Sequence, residues 1–211
     1  VNESDIGIIV LAAGASSRLG QPKQLLKFEG ETLLNRAVRA ALETHHRPVI
    51  VVLGSQADDL QEKIAAPDAV IVVNQFWNEG MSSSIRCGLR ALEATVTNKI
   101  EAAVLMLCDQ PLITSDVISR LVDTYRSRQV LLVASEYEAR GEKTLGVPAL
   151  FSRALFPELM ALDEAGGAKR IIARHRAEAA SVATPEAAFD VDTPEDYRAL
   201  REKKSSDDSS R

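Results

Sequence analysis

The chain has 211 residues, 45% hydrophobic and 26% charged, which is enough apolar side chain to close a core and about the size of one domain. Its formal net charge of -5 excludes a protein that holds nucleic acid through a basic surface, so any anion it binds must meet a local site. No apolar run approaches the roughly 20 residues that span a bilayer, the first residues lack a secretory pattern, and Cys87 and Cys108 form no CxxC pair, so a cytoplasmic protein with reduced thiols, no membrane and no nucleic-acid partner is expected.

Gly7 to Ala13 (GIIVLAA) is a continuous apolar run of buried-strand length, and it enters a loop of small residues, GASSRLGQPK. Leu33, Leu34, Ala37, Val38, Ala41 and Leu42 recur at helical spacing, and Val49 to Leu53 (VIVVL) reads as a second buried strand. A helix near 57–65, a strand at Ala69 to Val73, a helix near 82–94 and a strand at Ala102 to Leu107 continue the alternation. Val117, Ile118, Leu121, Val122 and Tyr125 form another one-sided helix, followed by a strand at Val130 to Ala134. Helices between strands predict an α/β fold: one three-layer α/β/α domain over residues 1–203 with a mostly parallel sheet.

From Glu136 to Lys143 the chain turns polar; LGVPALF, two helical stretches and the short run Ala188 to Val191 follow, and this region is expected to cap the sheet. Thr193-Pro194 supplies an N-cap and a proline at the first helical position, predicting a last helix from about Pro194 to Arg201. Residues 204–211 read as a disordered tail.

In open α/β sheets ligands collect beyond the carboxyl ends of strands, where loops expose backbone amides. The loop Leu11 to Lys23 combines Gly14 and small side chains with the full charges of Arg18 and Lys23, the makings of a triphosphate cradle. It lacks the Gly-Lys-Ser/Thr of a P-loop and the GxGxxG of a dinucleotide fingerprint, and composition alone also fits an ordinary surface loop. Asp109, in LCDQP, follows six apolar residues and a cysteine at the end of a central strand; it suits Mg²⁺, which takes one or two carboxylates plus phosphate oxygens, or else starts a turn before proline. In FDVDT, alternation puts Asp190 and Asp192 on one side and Phe189 and Val191 on the other, a second carboxylate edge for the metal, although Asp192 could also serve the last helix as a cap. In NQFWNEGMSSSIRCGL, Gly80, Ser82 and Ser83 offer amides and hydroxyls to a base or ribose, or form a serine-rich helix cap with Trp77 and Met81 packed inside. His45, His46 and His175 have no metal spacing to either carboxylate motif and read as structural or solvated.

Taken in order, LAAGASSRLGQPKQLL, GMSSSIRCGL, LCDQP, LGVPALF and FDVDTPEDY resemble the cytidylyltransferase branch of the molybdenum-cofactor nucleotidyltransferases, over nearly the whole chain. The opening motif alone marks the wider nucleoside-triphosphate transferase superfamily, with its Rossmann-like sheet of nucleotide-diphospho-sugar transferase type. The resemblance implies that Arg18 and Lys23 hold the triphosphate, that Leu11, Ala12, Ala13 and Gly14 meet the base, that Asp109 binds Mg²⁺, and that Asp190 and Asp192 occupy the later carboxylate motif. The guanylyl branch carries Gly where this chain has Ala13, so the added methyl points to CTP. Lys169, in EAGGAKRII, stands where relatives carry arginine near the acceptor, and a lysine offers a point charge in place of a bidentate fork.

The implied reaction is in-line attack by an acceptor phosphate, that of molybdopterin or molybdenum cofactor, on the α-phosphorus of CTP, releasing pyrophosphate; an acceptor already ionised needs no general base. A molybdenum hydroxylase apo-enzyme is the implied protein partner. The alternatives are a sugar-1-phosphate nucleotidyltransferase, a non-catalytic nucleotide-binding chaperone for molybdenum-enzyme maturation, and an NAD-dependent dehydrogenase, which the missing glycine spacing disfavours.

Overall fold

A computed structural model of the chain describes residues 6–95, 100–139, 141–163 and 166–208, the last six of these by backbone alone. In chain order the elements are β1 (Ile6–Ala12), β2 (Lys27–Phe28), β3 (Glu31–Thr32), α1 (Leu33–Glu43), β4 (Val49–Leu53), α2 (Ala57–Gln61), β5 (Ala69–Val73) and α3 (Met81–Thr95). They continue with β6 (Ala102–Leu107), α4 (Ser115–Arg128), β7 (Leu132–Ala139), β8 (Glu142–Ser152), α5 (Phe156–Met160), α6 (Gly167–Arg174), β9 (Ala180–Ala183) and α7 (Pro194–Asp208).

Seven strands form one sheet in the order β5-β4-β1-β6-β8-β7-β9, and β2 and β3 pair separately. Within the seven-stranded sheet all pairs are parallel except those of β8, which runs antiparallel to both β6 and β7, and the small β2–β3 pair is antiparallel. The apolar runs are continuous because both faces of the sheet are covered. In β1, Ile6, Ile8, Val10 and Ala12 pack under α1 and α4, whereas Ile9 and Leu11 pack against α3, α5 and α6. The chain moves from β1 to β4 and β5 on one side, then crosses back to place β6 on the other side of β1. That reversal opens a crevice beyond the carboxyl ends of β1 and β6, where such folds bind ligands.

Four expectations change. The polar stretch 136–143 is the far end of a β7–β8 ribbon, with Tyr137 opposite Thr144 and Glu138 opposite Lys143; polar cross-strand pairs at its solvent end hide the strand signal. Ala188 to Val191 is no strand: a 3-10 turn at Pro185–Ala188 leads into it, and the edge strand is instead β9, a short Ala-Ser-Val-Ala run with weak β character. Helix α2 is short, ending at Gln61. Helix α7 continues to Asp208, carried past Arg201 by the helix formers Glu202, Lys203 and Lys204, so 204–208 are helical and 209–211 lie outside the described residues. Among the described residues no helix is long and apolar enough to cross a membrane.

Candidate active site

The loop after β1 turns through Ser16, which has a left-handed φ of 55°, and returns to the sheet edge in a 3-10 turn at Lys23–Leu25. The Lys23 amide donates to Ser16 Oγ at 2.9 Å, which fixes where the lysine side chain departs. Its ammonium donates to Asp109 Oδ2 and, at 2.8 Å, to Asp192 Oδ1. Desolvation works against the charge on Lys23, but the attraction of Asp109 and Asp192 outweighs it and holds the ammonium well above the usual lysine range.

Asp109 stands two residues beyond β6 and is 9% exposed, and its Oδ1 is buried without a hydrogen-bond partner among the described residues. Its carbonyl accepts from the Val191 amide at 2.9 Å, which ties the later carboxylate motif to the end of β6. Val191 and Leu200 are fully buried with Leu19, Leu26, Phe28 and Leu33, and Phe189 packs against the same cluster. This small core clamps α7 onto the Lys23 loop, and it leaves Asp190 and Asp192 on the opposite side, as the alternation predicted. Thr193 caps α7: its Oγ1 accepts from the Asp196 amide at 3.2 Å, while Asp196 Oδ2 accepts from the amides of Asp192 and Thr193. Because Thr193 and Asp196 satisfy the helix start, the carboxylate of Asp192 is left for Lys23.

Two cavities meet at this point. The first, about 290 Å³, is lined by Leu11, Ala12, Ala13, Gly14, Trp77, Gly80, Met81 and Ser84. The second, about 370 Å³, is lined by Gln110, Tyr137, Val147, Gly167, Lys169, Asp190 and Asp192. Lys23, Met81, Leu107 and Asp109 border both, so the ion pair stands at the junction. Asp190, recessed in the second wall, has its carboxyl pushed up to about 6 by desolvation and by repulsion from Asp109.

The structure therefore gathers Leu11, Ala12, Ala13, Gly14, Gly80, Lys23, Asp109, Asp190 and Asp192 around one crevice. Arg18 does not line it; it is exposed on the turn, without a hydrogen bond or ion pair among the described residues. Ser82 and Ser83 are buried and do not line either cavity, because their hydroxyls are used inside the chain. Ser82 Oγ accepts from the Gly167 amide at 3.2 Å, and Ser83 Oγ donates toward Phe76 O at 2.7 Å and accepts from Asn74 at 2.8 Å. Ser84 takes the cavity position instead. Its signal was available: Met81, Ser84, Ile85 and Gly88 follow i, i+3, i+4, i+7, so Ser84 extends the sheet-facing stripe of α3. Gln24, Gln110 and Tyr137 were missed; of Trp77 and Met81, for which packing inside was one of two readings, Trp77 both packs against the α3 side of the core and lines the crevice, and Met81 lines it 45% exposed.

The three aspartates do not form a closed metal cage. Among the described residues no three His, Cys, Asp or Glu side chains gather as one, because the Lys23 ammonium lies between Asp109 and Asp192. The donor set still fits a hard cation that keeps waters and phosphate oxygens, since it has an unpartnered buried carboxylate oxygen on Asp109 and mutual repulsion between carboxylates that a cation would relieve.

A doubly wound α/β sheet, a glycine-bearing loop with a lysine, and carboxylates at the switch point define a nucleotide-binding class of protein. Residues 8–179 match the family described as the MobA-like NTP transferase domain, and the chain belongs to that family of nucleotidyltransferases. It is 31% identical to the nicotine blue oxidoreductase of Paenarthrobacter nicotinovorans, over 80% of this chain and 81% of that protein. It is 23% identical to the molybdenum cofactor cytidylyltransferase of Escherichia coli K12, over 95% and 97%. Among solved structures, Rv0371c of Mycobacterium tuberculosis superposes with a TM-score of 0.79 at 32% identity, covering 95% of this chain and all of that one. A manganese complex of Rv0371c superposes at 0.73, with 30% identity over 93% and 98%.

Proposed function

We propose that the chain, as one domain over residues 1–203, is a divalent-metal-dependent cytidylyltransferase of the cytoplasm. It would move CMP from CTP to the phosphate of molybdopterin or molybdenum cofactor and release pyrophosphate. The observation that carries the reading is the meeting of two cavities at Lys23 and Asp109, one walled by the β1 loop and one by Lys169 and the β7–β8 ribbon. A nucleotide in the first and an acceptor in the second would meet where the Lys23 ammonium faces the carboxylates of Asp109 and Asp192.

The base would lie against Leu11 to Gly14 and Gly80, with Ser84 beside it and the methyl of Ala13 narrowing the wall in favour of a pyrimidine. Lys23 and the exposed Arg18 would hold the triphosphate and stabilise departing pyrophosphate. Asp109, with Asp190 and Asp192, would hold Mg²⁺, whose chemistry is to neutralise phosphate charge at the junction. Lys169 would orient an anionic acceptor from the second wall. Catalysis then consists of alignment and charge neutralisation, which agrees with the absence of any histidine from the lining of both cavities among the described residues. The manganese complex of the Mycobacterium tuberculosis relative and the cytidylyltransferase of Escherichia coli support metal and acceptor by similarity. A molybdenum hydroxylase apo-enzyme would receive the product.

The test is pyrophosphate release with each of the four nucleoside triphosphates and Mg²⁺, with and without molybdenum-loaded pterin. Release with CTP that requires the pterin is expected, and Lys23→Ala should lower it about 10²- to 10³-fold, the scale of one lost preorganised contact. Release with sugar phosphates in place of pterin, or none with CTP, would overturn the reading. The likeness to a protein named an oxidoreductase favours a second reading, a redox enzyme on the same fold. Binding of a nicotinamide dinucleotide in the first cavity in preference to CTP would establish it.

A further inference from the structure

One buried side chain with no part in the proposed chemistry sets the shape of the loop after β1. Gln24 is 1% exposed in the 3-10 turn beside Lys23. Its Nε2 donates to Ala12 O at 2.8 Å and to Gly14 O at 2.8 Å, and its Oε1 accepts from Ser16 Oγ at 3.3 Å. Both Nε2 partners are carbonyls, so the amide has one workable orientation; turned over, it would set oxygen against two oxygens.

The consequence follows from peptide planarity, because each carbonyl points opposite to the N–H of the next residue. With the carbonyls of Ala12 and Gly14 drawn to Gln24, the amides of Ala13 and Ala15 are turned away from it. The Ala13 carbonyl is fixed in its turn, accepting from the Ser55 amide at 3.1 Å. No hydrogen bond within the described residues uses the amides of Ala13, Gly14 and Ala15, although all three residues line the first cavity. A loop with three anchored carbonyls and three unused amides is prepared for an anionic or hydrogen-bond-accepting ligand.

We infer that Gln24 is a positioning residue of the nucleotide site: its amide holds the loop carbonyls back and keeps the neighbouring amides free for the nucleoside triphosphate. This rests on the nucleotidyltransferase reading. Gln24 acts through the backbone, which separates it from Lys23 one residue earlier, whose charge acts directly.

Trp77 is the only tryptophan of the chain and lines the same cavity, so its fluorescence reports nucleotide binding without turnover. Gln24→Met keeps the volume and removes both donated bonds, while Gln24→Glu sets a carboxylate against the two carbonyls. CTP affinity measured by Trp77 fluorescence should fall about 10- to 100-fold in Gln24→Met, the effect of losing two hydrogen bonds, and at least as far in Gln24→Glu. The acceptor KM should stay within about threefold of wild type, and thermal unfolding should remain cooperative, which a merely structural role would not separate. If folded Gln24→Met binds CTP within about twofold of wild type, or if both substrates lose affinity together, the inference is wrong. A wild-type protein that binds no nucleoside triphosphate would instead overturn the reading beneath it.

Discussion

Replacing Lys23 by methionine removes the ammonium that bridges Asp109 and Asp192 and keeps a stem of similar length. Any divalent cation entering the nucleotide-free site must compete with that ammonium for the same carboxylates. At about 4 Å and an effective dielectric near 20, each unit-charge attraction is about 4 kcal/mol before desolvation. The two pairs are not equal: the Asp109 side chain is 13% exposed and that of Asp192 49%, so the second pair is discounted to the 0–1 kcal/mol of an exposed bridge. Desolvation returns part of the first as well, which leaves about 1.4 to 2.8 kcal/mol of competition, or roughly 10- to 100-fold in affinity. Mn²⁺ titrated alone and followed by electron paramagnetic resonance of the free ion should therefore bind Lys23→Met about 10- to 100-fold more tightly than wild type. With CTP present the sign should reverse, because Lys23 is then drawn to phosphate and its loss weakens the metal–nucleotide complex. Nucleotide-free Mn²⁺ affinity that is unchanged or weaker in Lys23→Met would show that the ammonium does not stand in the cation's place.

Asp109→Asn is nearly isosteric and should lower metal-dependent turnover by at least about 10²-fold while still unfolding cooperatively; surviving activity would remove Asp109 from the metal set. Asp190 retains its proton to about 6 in the folded chain and releases it near 3.8 when unfolded, so across that window the folded state binds more protons and stability falls as pH rises. Metal-free Asp190→Asn should accordingly melt above wild type beyond about pH 7 and converge with it below about pH 4, and a pH-independent difference would contradict the shift. Leu200→Ala opens the small cluster beneath Val191 and should cost about 2 to 3 kcal/mol, at the low end for a buried leucine. Hydrogen exchange at the Val191 amide should accelerate with it, since that amide bonds Asp109 O, and unchanged protection would mean that α7 does not hold the carboxylate edge.

The sheet was legible because its central strands are buried on both faces. Val49–Leu53 and Ala102–Leu107 are strands to the residue, and so is the half-buried edge strand Ala69–Val73, each an unbroken apolar run with no competing helical period. Strand direction was not legible in the same way. The reversal of β8 depends on a ribbon whose outer pairs, such as Glu138 with Lys143, are polar and read as a loop. Composition records which faces are dry, and the outer half of that ribbon has none.

Asp109 was legible for a different reason: a carboxylate placed at the end of an apolar strand has little freedom in depth, whereas Arg18, out on the turn, is not brought to the crevice. Lys23 and Asp109 are 86 residues apart, and Lys23 and Asp192 are 169 apart; Asp109 follows the end of β6, while the 3-10 turn at Lys23 and the bond from the Val191 amide to Asp109 O bring the other two to the same rim. The neutral polar groups behaved differently. Ser82 and Ser83 carry the same hydroxyl as Ser84, and only the rotational phase of α3, set by Ile85, Gly88 and Leu92 against the sheet, decides which one reaches the cavity. Gln24 is the extreme case, because its partners are backbone carbonyls, which every residue possesses and no side-chain pattern marks. Charges identify where a reaction can occur, whereas the shape of the loop that receives the nucleotide is set by hydrogen bonds that appear only once the chain has folded.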